Sequence, residues 1–374
     1  METNETHKVS DRALAGKLVE EIDRLTRPLG RKVRYMEVCG THTVSIFRAG
    51  LRQLLPPQIE LVSGPGCPVC VTPDSYMDKA IAYAKELDTI IATFGDMLKV
   101  PGSESSLSEA MAAGADIRVV YSPLDSLKIA KENPNKTVIF LAVGFETTAP
   151  TAAAAVIAAK RAGLKNLFML SAQKLIPPAM KLLLDDERTN VDGFLLPGHV
   201  AVVTGSDAFL FLARDYHKPG VVAGFEAVEI LRAIYRLAQM TTAGEARVEN
   251  EYDKVVSREG NGAAQRAMYD VYEAVDTPWR GLGDIPASGL RMRDEWQSFD
   301  IERVRPIEVN VKPNKAKSLC RCGEVLKGQI VPQECPLFAK ACVPEHAIGP
   351  CMVSVEGVCA AHYKYGGGKF KYGA

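Results

Sequence analysis

The sequence predicts an α/β protein: two small parallel-sheet domains of similar layout, followed by a third, mainly helical and irregular part rich in cysteine. Short apolar runs alternate with helical segments from residue 33 to about 240, and such alternation builds parallel sheets through right-handed crossovers. After Thr241 the alternation stops. Cysteine is absent between Cys70 and Cys320 and dense on either side of that gap, which points to two separate cysteine sites.

Taken in order, the first element is an N-terminal helix over about Ser10–Leu25. Strands are expected at Val33–Val38, Ile59–Ser63, Thr89–Phe94, Ile117–Tyr121, Val138–Phe145, Leu167–Ser171, Gly193–Leu196 and Gly220–Ala223. Several are continuous apolar runs, as strands buried on both faces should be. Thr72-Pro73-Asp74 reads as an N-cap, a proline at N1 and an acid in the first turn, and Ser106-Leu107-Ser108-Glu109 reads as a capping box. Eight strands suit two small domains better than one wide sheet, with the boundary at Asn133-Pro134-Asn135. The expected units are residues 33–135, 136–240, and a third formed by 1–32 with 241–374. In that third unit Glu249–Ala274 reads as helix interrupted at Gly260-Asn261-Gly262, and Pro278–Pro313 reads as irregular.

Composition narrows the class. Hydrophobic residues make up 47% and charged residues 24%, and 45 basic side chains balance 45 acidic ones. With no basic stripe, nucleic acid is not an expected partner. No run reaches ~18 apolar residues and the first segment has no apolar core, so neither a membrane span nor export is expected. A cytoplasmic location follows, and the nine cysteines there read as ligands or redox groups rather than structural disulfides.

Ligands in α/β sheets bind where strand C-terminal ends meet helix N-termini, and the unusual motifs sit at those points. Cys39-Gly40-Thr41-His42-Thr43 follows the first strand. A thiolate and an imidazole three residues apart are good ligands for iron or zinc; the plainer reading is a buried cysteine, a capping threonine and a surface histidine. Gly64-Pro65-Gly66-Cys67-Pro68-Val69-Cys70 is a C-x-x-C at the mouth of a helix, a place that lowers thiol pKa values to roughly 3.5–7.5. Such a pair stores two electrons as a reversible disulfide. Half of a zinc site is the alternative, with only Cys39 and His42 near enough to complete it. Asp96 in Gly95-Asp96-Met97 and Glu146 in Gly144-Phe145-Glu146-Thr147-Thr148 each put a carboxylate at a strand tip, where helix capping is the commoner role. His199 in Pro197-Gly198-His199-Val200 ends another strand.

The tail differs in kind. Cys320, Cys322, Cys335, Cys342, Cys351 and Cys359 do not form two C-x-x-C knuckles, so a zinc ribbon fits poorly. Iron–sulfur cubanes take four thiolates at irregular spacing, which leaves two cysteines for a redox pair beside the cluster. A purely structural metal site is the alternative.

These motifs, with Phe94-Gly95-Asp96-Met97 and a tail running from Cys322-Gly323-Glu324 through Cys335-Pro336-Leu337-Phe338 and Cys342 to Met352-Val353-Ser354 and Glu356-Gly357, resemble the HypD family of nickel–iron hydrogenase maturation factors. The resemblance runs from about residue 33 to the C-terminus. Each motif is weak alone; six in this order are specific.

The resemblance implies two similar α/β domains facing a cleft and a third domain holding a 4Fe-4S cluster. It implies a scaffold with redox activity, rather than a conventional turnover enzyme, on which the Fe(CN)2CO unit of the hydrogenase is assembled. A HypC-type chaperone and, transiently, a HypE-type cyanide donor are the implied partners, with this chain as the monomer of that heterocomplex. Carried over by position, Cys39 would bind the iron together with a chaperone cysteine, with His42 as its neighbour in the motif. Cys67 and Cys70 would exchange electrons, supplied from the cluster through a nearby dithiol, and Asp96, Glu146 and His199 would be polar cleft residues. The cluster ligands are taken as Cys322, Cys335, Cys342 and Cys359, with Cys320 and Cys351 as open alternatives to Cys322. Two positions depart from the family pattern: Gln173 in Ser171-Ala172-Gln173-Lys174, where His is expected, and Ala227-Val228-Glu229, where Pro-x-Asp is expected. Two other readings remain: a stand-alone iron–sulfur-linked thiol–disulfide oxidoreductase, and a zinc-stabilised interaction protein without redox activity.

Overall fold

Eleven strands carry the architecture in the computed structural model, which describes residues 2–310 and 319–366. They are β1 (Val33–Glu37), β2 (Ile59–Ser63), β3 (Thr89–Thr93), β4 (Asp116–Val119), β5 (Thr137–Ala142), β6 (Leu167–Ser171), β7 (Gly193–Pro197), β8 (Gly220–Ala223), β9 (Val248–Asn250), β10 (Tyr272–Trp279) and β11 (Gly283–Met292). The eight predicted strands are present, in two parallel sheets. Residues 311–318 and 367–374 of the expected third unit, and Met1, lie outside the described residues.

Sheet membership corrects the predicted boundary at 133–135. The first sheet has the order β2-β1-β7-β8-β9 and the second β4-β3-β5-β6. Strands on both sides of residue 135 therefore share the second sheet, with Ile90 opposite Val138. The chain leaves the first sheet after β2, builds the whole of the second, and returns at β7. A contiguous division assumes that neighbours in sequence pair in space, and here the longer-range pairing of β1 with β7 holds the first sheet together.

Alternation along each strand sorts side chains between layers. Val33, Tyr35, Leu61, Leu195 and Val221 face one apolar cluster, while Met36, Val62, Phe194, Leu196 and Val222 face another. The first cluster also takes Ile22 of the N-terminal helix (Glu2–Thr26) and Ile230, Leu231 and Ile234 of the helix Ala227–Ala243. The N-terminal helix therefore packs on the first sheet, through Ala15, Leu18, Val19 and Ile22, rather than with the C-terminal part. The second cluster lies between the sheets, since Ile91, Ile139 and Leu141 of the second sheet reach it, as do Cys67, Cys70, Cys322 and Cys351. The outer face of the second sheet, with Ile90, Val138 and Phe140, is covered by the alanine-rich helix Ala149–Arg161.

Two further expectations change. Glu249–Ala274 opens as strand, and helix is confined to Gly262–Val271, capped by Asn261 Oδ1 accepting from the amides of Ala263 and Ala264 at 3.1 Å. The stretch after Pro278 belongs to an antiparallel hairpin of β10 and β11, with a bulge between Val275 and Thr277. Trp279 there is buried and donates to Ser288 Oγ at 2.8 Å, which satisfies its indole in the core. The capping box forms as read, with both Ser106 and Glu109 bonded reciprocally. Thr72 does not cap: the helix Asp74–Ala84 begins after Pro73, and Thr72 Oγ1 donates to Pro68 O at 2.9 Å, tightening the C-x-x-C loop.

Candidate metal and thiol site

The order of the first sheet reverses between β1 and β7, and crevices at such switch points are where α/β sheets bind ligands. Cys39, just beyond β1, and His199, just beyond β7, line one cavity of about 410 Å³ with Thr41, Pro68, Phe145, Thr148 and Glu356. Cys39 is extended and precedes the helix Gly40–Arg48. The next loop packs onto it: the amide of Gly40 donates to Gly66 O at 3.0 Å, and a Cβ on Gly66 would lie 2.2 Å from Cys39 N. Only glycine allows the two thiol-bearing loops to come this close.

Cys67 and Cys70 stand with sulfurs 2.6 Å apart, unbridged and buried. Forming a disulfide of about 2.05 Å needs a shift of roughly half an ångström. Cys351 of the tail lies within hydrogen-bond reach of Cys70. The expected lowering of thiol pKa does not occur at Cys70. Burial, Cys351 and Cys67 all push it up, because dehydration and neighbouring sulfurs outweigh the helix terminus. Cys39 is likewise pushed up to about 11, first by burial and further by Glu356, against the stabilising N–H groups of His42 and Thr41. Both stay protonated at neutral pH until a metal or oxidant removes the proton.

The predicted polar residues separate. His199 faces the cavity, stacked on Phe225 at 3.9 Å; partial burial lowers its pKa and Glu356 opposes that, so the ring is neutral. His42 does not face the cavity. It is buried, its Nε2 donates to Gly224 O at 2.8 Å, and burial holds its pKa down to about 4; it pins the tip of β8. Glu146 is also buried. Its Oε1 accepts from the amide of Ile176 at 2.9 Å at the start of the helix Ile176–Asp185, and burial pushes its carboxyl up to about 7. It is a helix-end acceptor, not a cleft residue. Gln173, where the resemblance led to an expectation of His, is also buried, with no hydrogen-bond partner for its side-chain amide among the described residues. Asp96 accepts from Ser354 Oγ at 3.1 Å, the amide of Glu356 donates to the same hydroxyl at 3.3 Å, and Thr41 Oγ1 donates to Glu356 Oε1 at 2.7 Å. Asp96 thus holds the tail segment that brings Glu356 to the cavity. Glu356 was in the motif run but not among the predicted site residues. A lone Glu-Gly carries no spacing signal, and only the tail's return across 258 positions brings Ser354 to Asp96.

The tail sorts its own thiols. Cys335 and Cys342 pack in an apolar cluster with Met352, and Cys320 and Cys359 pack against it. The Cys359 thiol is pushed up first by burial and then by Cys351, Cys320, Cys342 and Cys335, so these sulfurs lie in one another's field. Cys322 instead lies in the inter-sheet core with Cys67, Cys70 and Cys351. Of the expected ligand set, Cys335, Cys342 and Cys359 come together, and Cys320, the open alternative, packs with them. Cys322, whose neighbour Gly323 packs against Gly281 of the hairpin, lies on the inter-sheet side, within hydrogen-bond reach of Cys320. Among the described residues no three His, Cys, Asp or Glu side chains converge on a single-ion position. Four thiols around a shared apolar patch fit a multi-iron body, in which each iron takes its own thiolate.

The family model for HypD, "Hydrogenase formation hypA family", matches residues 13–366. The chain is 45% identical over 352 residues to the hydrogenase maturation factor HypD of Escherichia coli strain K12, covering 93% of each chain. It is 45% identical over 367 residues to HypD of Rhodobacter capsulatus, covering 96% of this chain and 97% of that protein. This chain belongs to the HypD family. The HypD of Cupriavidus necator, 42% identical over 364 residues and 95% of each chain, extends the likeness across a further genus. The fold delivers Cys39, His199 and Glu356 to one cavity, and the Cys67/Cys70 loop packs against Cys39 through the hydrogen bond from Gly40 to Gly66. Among the described residues no helix is long and apolar enough to cross a membrane.

Proposed function

We propose that this chain is a hydrogenase maturation scaffold on which an iron carrying cyanide and carbon monoxide, the Fe(CN)2CO unit, is assembled. The observation that carries the reading is a half-buried Cys39 at the mouth of a cavity of about 410 Å³ whose wall includes the C-x-x-C loop. Thiolate is a soft ligand that suits low-spin iron, and one protein thiol leaves positions for small ligands and for a thiol of a HypC-type chaperone. When iron displaces the Cys39 proton, neutral His199 in the same cavity takes it, and Glu356 steadies the imidazolium. Freeing cyanide from a thiol of a HypE-type donor consumes two electrons and returns that thiol. Oxidation of Cys67 and Cys70 to a disulfide releases two electrons and two protons, which balances the step. Cys351, beside Cys70, would attack that disulfide, and Cys322 in the same core would resolve the mixed disulfide, restoring the Cys67/Cys70 dithiol and leaving a Cys322–Cys351 disulfide that takes two electrons to reopen.

Cys320, Cys335, Cys342 and Cys359 would hold a 4Fe-4S cluster. When bound, it supplies single electrons at low potential. The protein's own contribution there is the apolar cluster of Leu337 and Met352, which limits water at the sulfurs.

The test is anaerobic purification of the chain with a HypC-type chaperone, followed by metal analysis and infrared spectroscopy. The reading expects cyanide and carbonyl stretching bands in the complex and about four further irons per chain. A colourless protein with stoichiometric zinc and no such bands would overturn it in favour of a zinc-stabilised interaction protein.

A further inference from the structure

Two residues before Cys39, the side chain of Glu37 is fully buried. Its Oε1 accepts from Ser63 Oγ at 2.5 Å, from Arg52 Nη2 at 3.2 Å and from Thr43 Oγ1 at 3.4 Å, and its backbone carbonyl accepts from the amide of Gly64 at 2.7 Å. Thr43 lies in the first turn of the helix that Cys39 opens; Ser63 and Gly64 lead directly into Cys67 and Cys70. One carboxylate therefore fastens both thiol-bearing loops. It touches no sulfur.

The other half of the pair faces the tail. Arg52 Nη1 donates to Leu61 O, and the guanidinium lies over the Phe47 ring at 4.8 Å. Phe47 meets His362 edge-on at 4.7 Å, on the helix Val358–Tyr365 that carries Cys359. Between them is a cavity of about 70 Å³ lined by Arg52, Ser63, Val325, Gly328 and His362; Val325 belongs to the helix Cys322–Leu326. Glu37 Oε2 and Arg52 Nε are buried without hydrogen-bond partners among the described residues. Uncompensated polar atoms of this kind are retained where a network has a task beyond packing, and a polar space of this size takes a bridging water.

We propose that Glu37 and Arg52 are a positioning pair that sets the Cys39 loop against the Cys67/Cys70 loop and, through Phe47 and His362, ties both to the helix bearing Cys359. A buried pair suits this task because its hydrogen bonds are directional, so the thiols keep their spacing when cargo or partner presses on the cavity. Apolar side chains of equal volume would hold the layers together but not the register of two loops.

The test uses full-length, reduced protein and needs no iron cargo, so its failure is distinct from a failure of the maturation reading. Variants are Glu37→Ala, Glu37→Gln, Arg52→Ala and Arg52→Lys. Readouts are the alkylation rate of Cys39 mapped by peptide mass spectrometry, the redox equilibrium of Cys67/Cys70 in a dithiothreitol buffer, and the thermal midpoint. Glu37→Ala and Arg52→Ala should raise Cys39 alkylation at least fivefold. They should also move the dithiol equilibrium about tenfold, some 30 mV for a two-electron couple. Arg52→Lys, which keeps the charge but loses the fork that bonds Glu37 and Leu61 O together, should shift both readouts in the same direction by more than twofold. If Glu37→Ala does not fold, Glu37→Gln carries the test, because it keeps the shape and loses only the ion pair. Variants that melt earlier but leave both thiol readouts within twofold of the parent would make the pair structural only and sink the proposal.

Discussion

The two sheets share one winding order and differ in what they place at their tips. In each, the first and third strands flank the reversal point, β1 and β7 in one and β3 and β5 in the other. The first sheet ends there in Cys39 and His199, which face an open cavity. The second ends in Asp96, whose carboxylate is spent on Ser354, and Glu146, whose carboxylate is buried against Ile176. A second cavity of about 450 Å³ lies at that end, walled largely by Phe94, Val119, Val120 and Val143, with Asp96 at its wall already bonded to Ser354, and it shares Pro68 and Thr148 with the first. Topology thus provides two equivalent crevices. Side-chain chemistry arms one of them, and the C-x-x-C loop lies on the crossing between.

The sharpest way to break this contrast is to remove one group from each tip. Cys39→Ala should cut iron retained by the anaerobic chaperone complex at least tenfold and abolish its cyanide and carbonyl bands, whereas Glu146→Gln should leave both unchanged. Equal losses from the two variants would end the claim that only the first tip does chemistry.

A second, smaller effect separates the tips by pH. The folded-state pKa of Glu146 is raised from 4.5 to about 7 by burial, so the native state binds more protons than the unfolded chain between those values. Its stability contribution is complete below about pH 4.5 and is lost as pH rises through 7, an effect of about 3 kcal/mol. Glu146→Gln should therefore raise the melting temperature by several degrees at pH 8 and by little at pH 5. Lys174, buried nearby and donating to Pro278 O at 2.9 Å, has its pKa lowered to about 8 by burial, so its own contribution grows between pH 8 and 10.5. A parent protein whose melting temperature rises steadily from pH 5 to 7 would contradict the Glu146 account.

The smallest expected effect lies far from either tip. Ser106→Ala removes the acceptor for the amide of Glu109 at 3.2 Å and should cost about 1 kcal/mol in chemical denaturation, without altering thiol reactivity or iron content.

Much of this was legible in residue order. The eight main strands were readable because a buried parallel strand must be a short apolar run, and the Ser106 box because a cap is a contact between residues three apart. The hairpin of β10 and β11 was not, since Pro278 and the glycines at 281, 283 and 289 look like loop until Trp279 and Ile285 are seen buried. His42 and His199 show the limit within the site. Both follow strands in similar glycine-containing motifs, yet one ring turns to a backbone carbonyl and the other to the cavity. Both rings stack on Phe225, in the loop after β8, and their positions around that loop decide this, not the motif.

By itself, then, the sequence determined the eight main strands, the presence of two cysteine groups and the family, all of which rest on residue type and short spacing. Only the tertiary structure decided which strands share a sheet, that the N-terminal helix covers the first sheet, that Glu356 reaches the cavity, and that Cys320 packs with Cys335, Cys342 and Cys359. These are outcomes of pairing between residues far apart in the chain. Loop closure costs grow only slowly with length, so many such pairings are open, and what selects among them is burial and hydrogen bonding across the whole fold. The cysteines keep their chemistry from the sequence; their division into a lone cavity thiol, a buried dithiol and a packed tail group comes from where the second sheet is inserted into the first and where the tail returns.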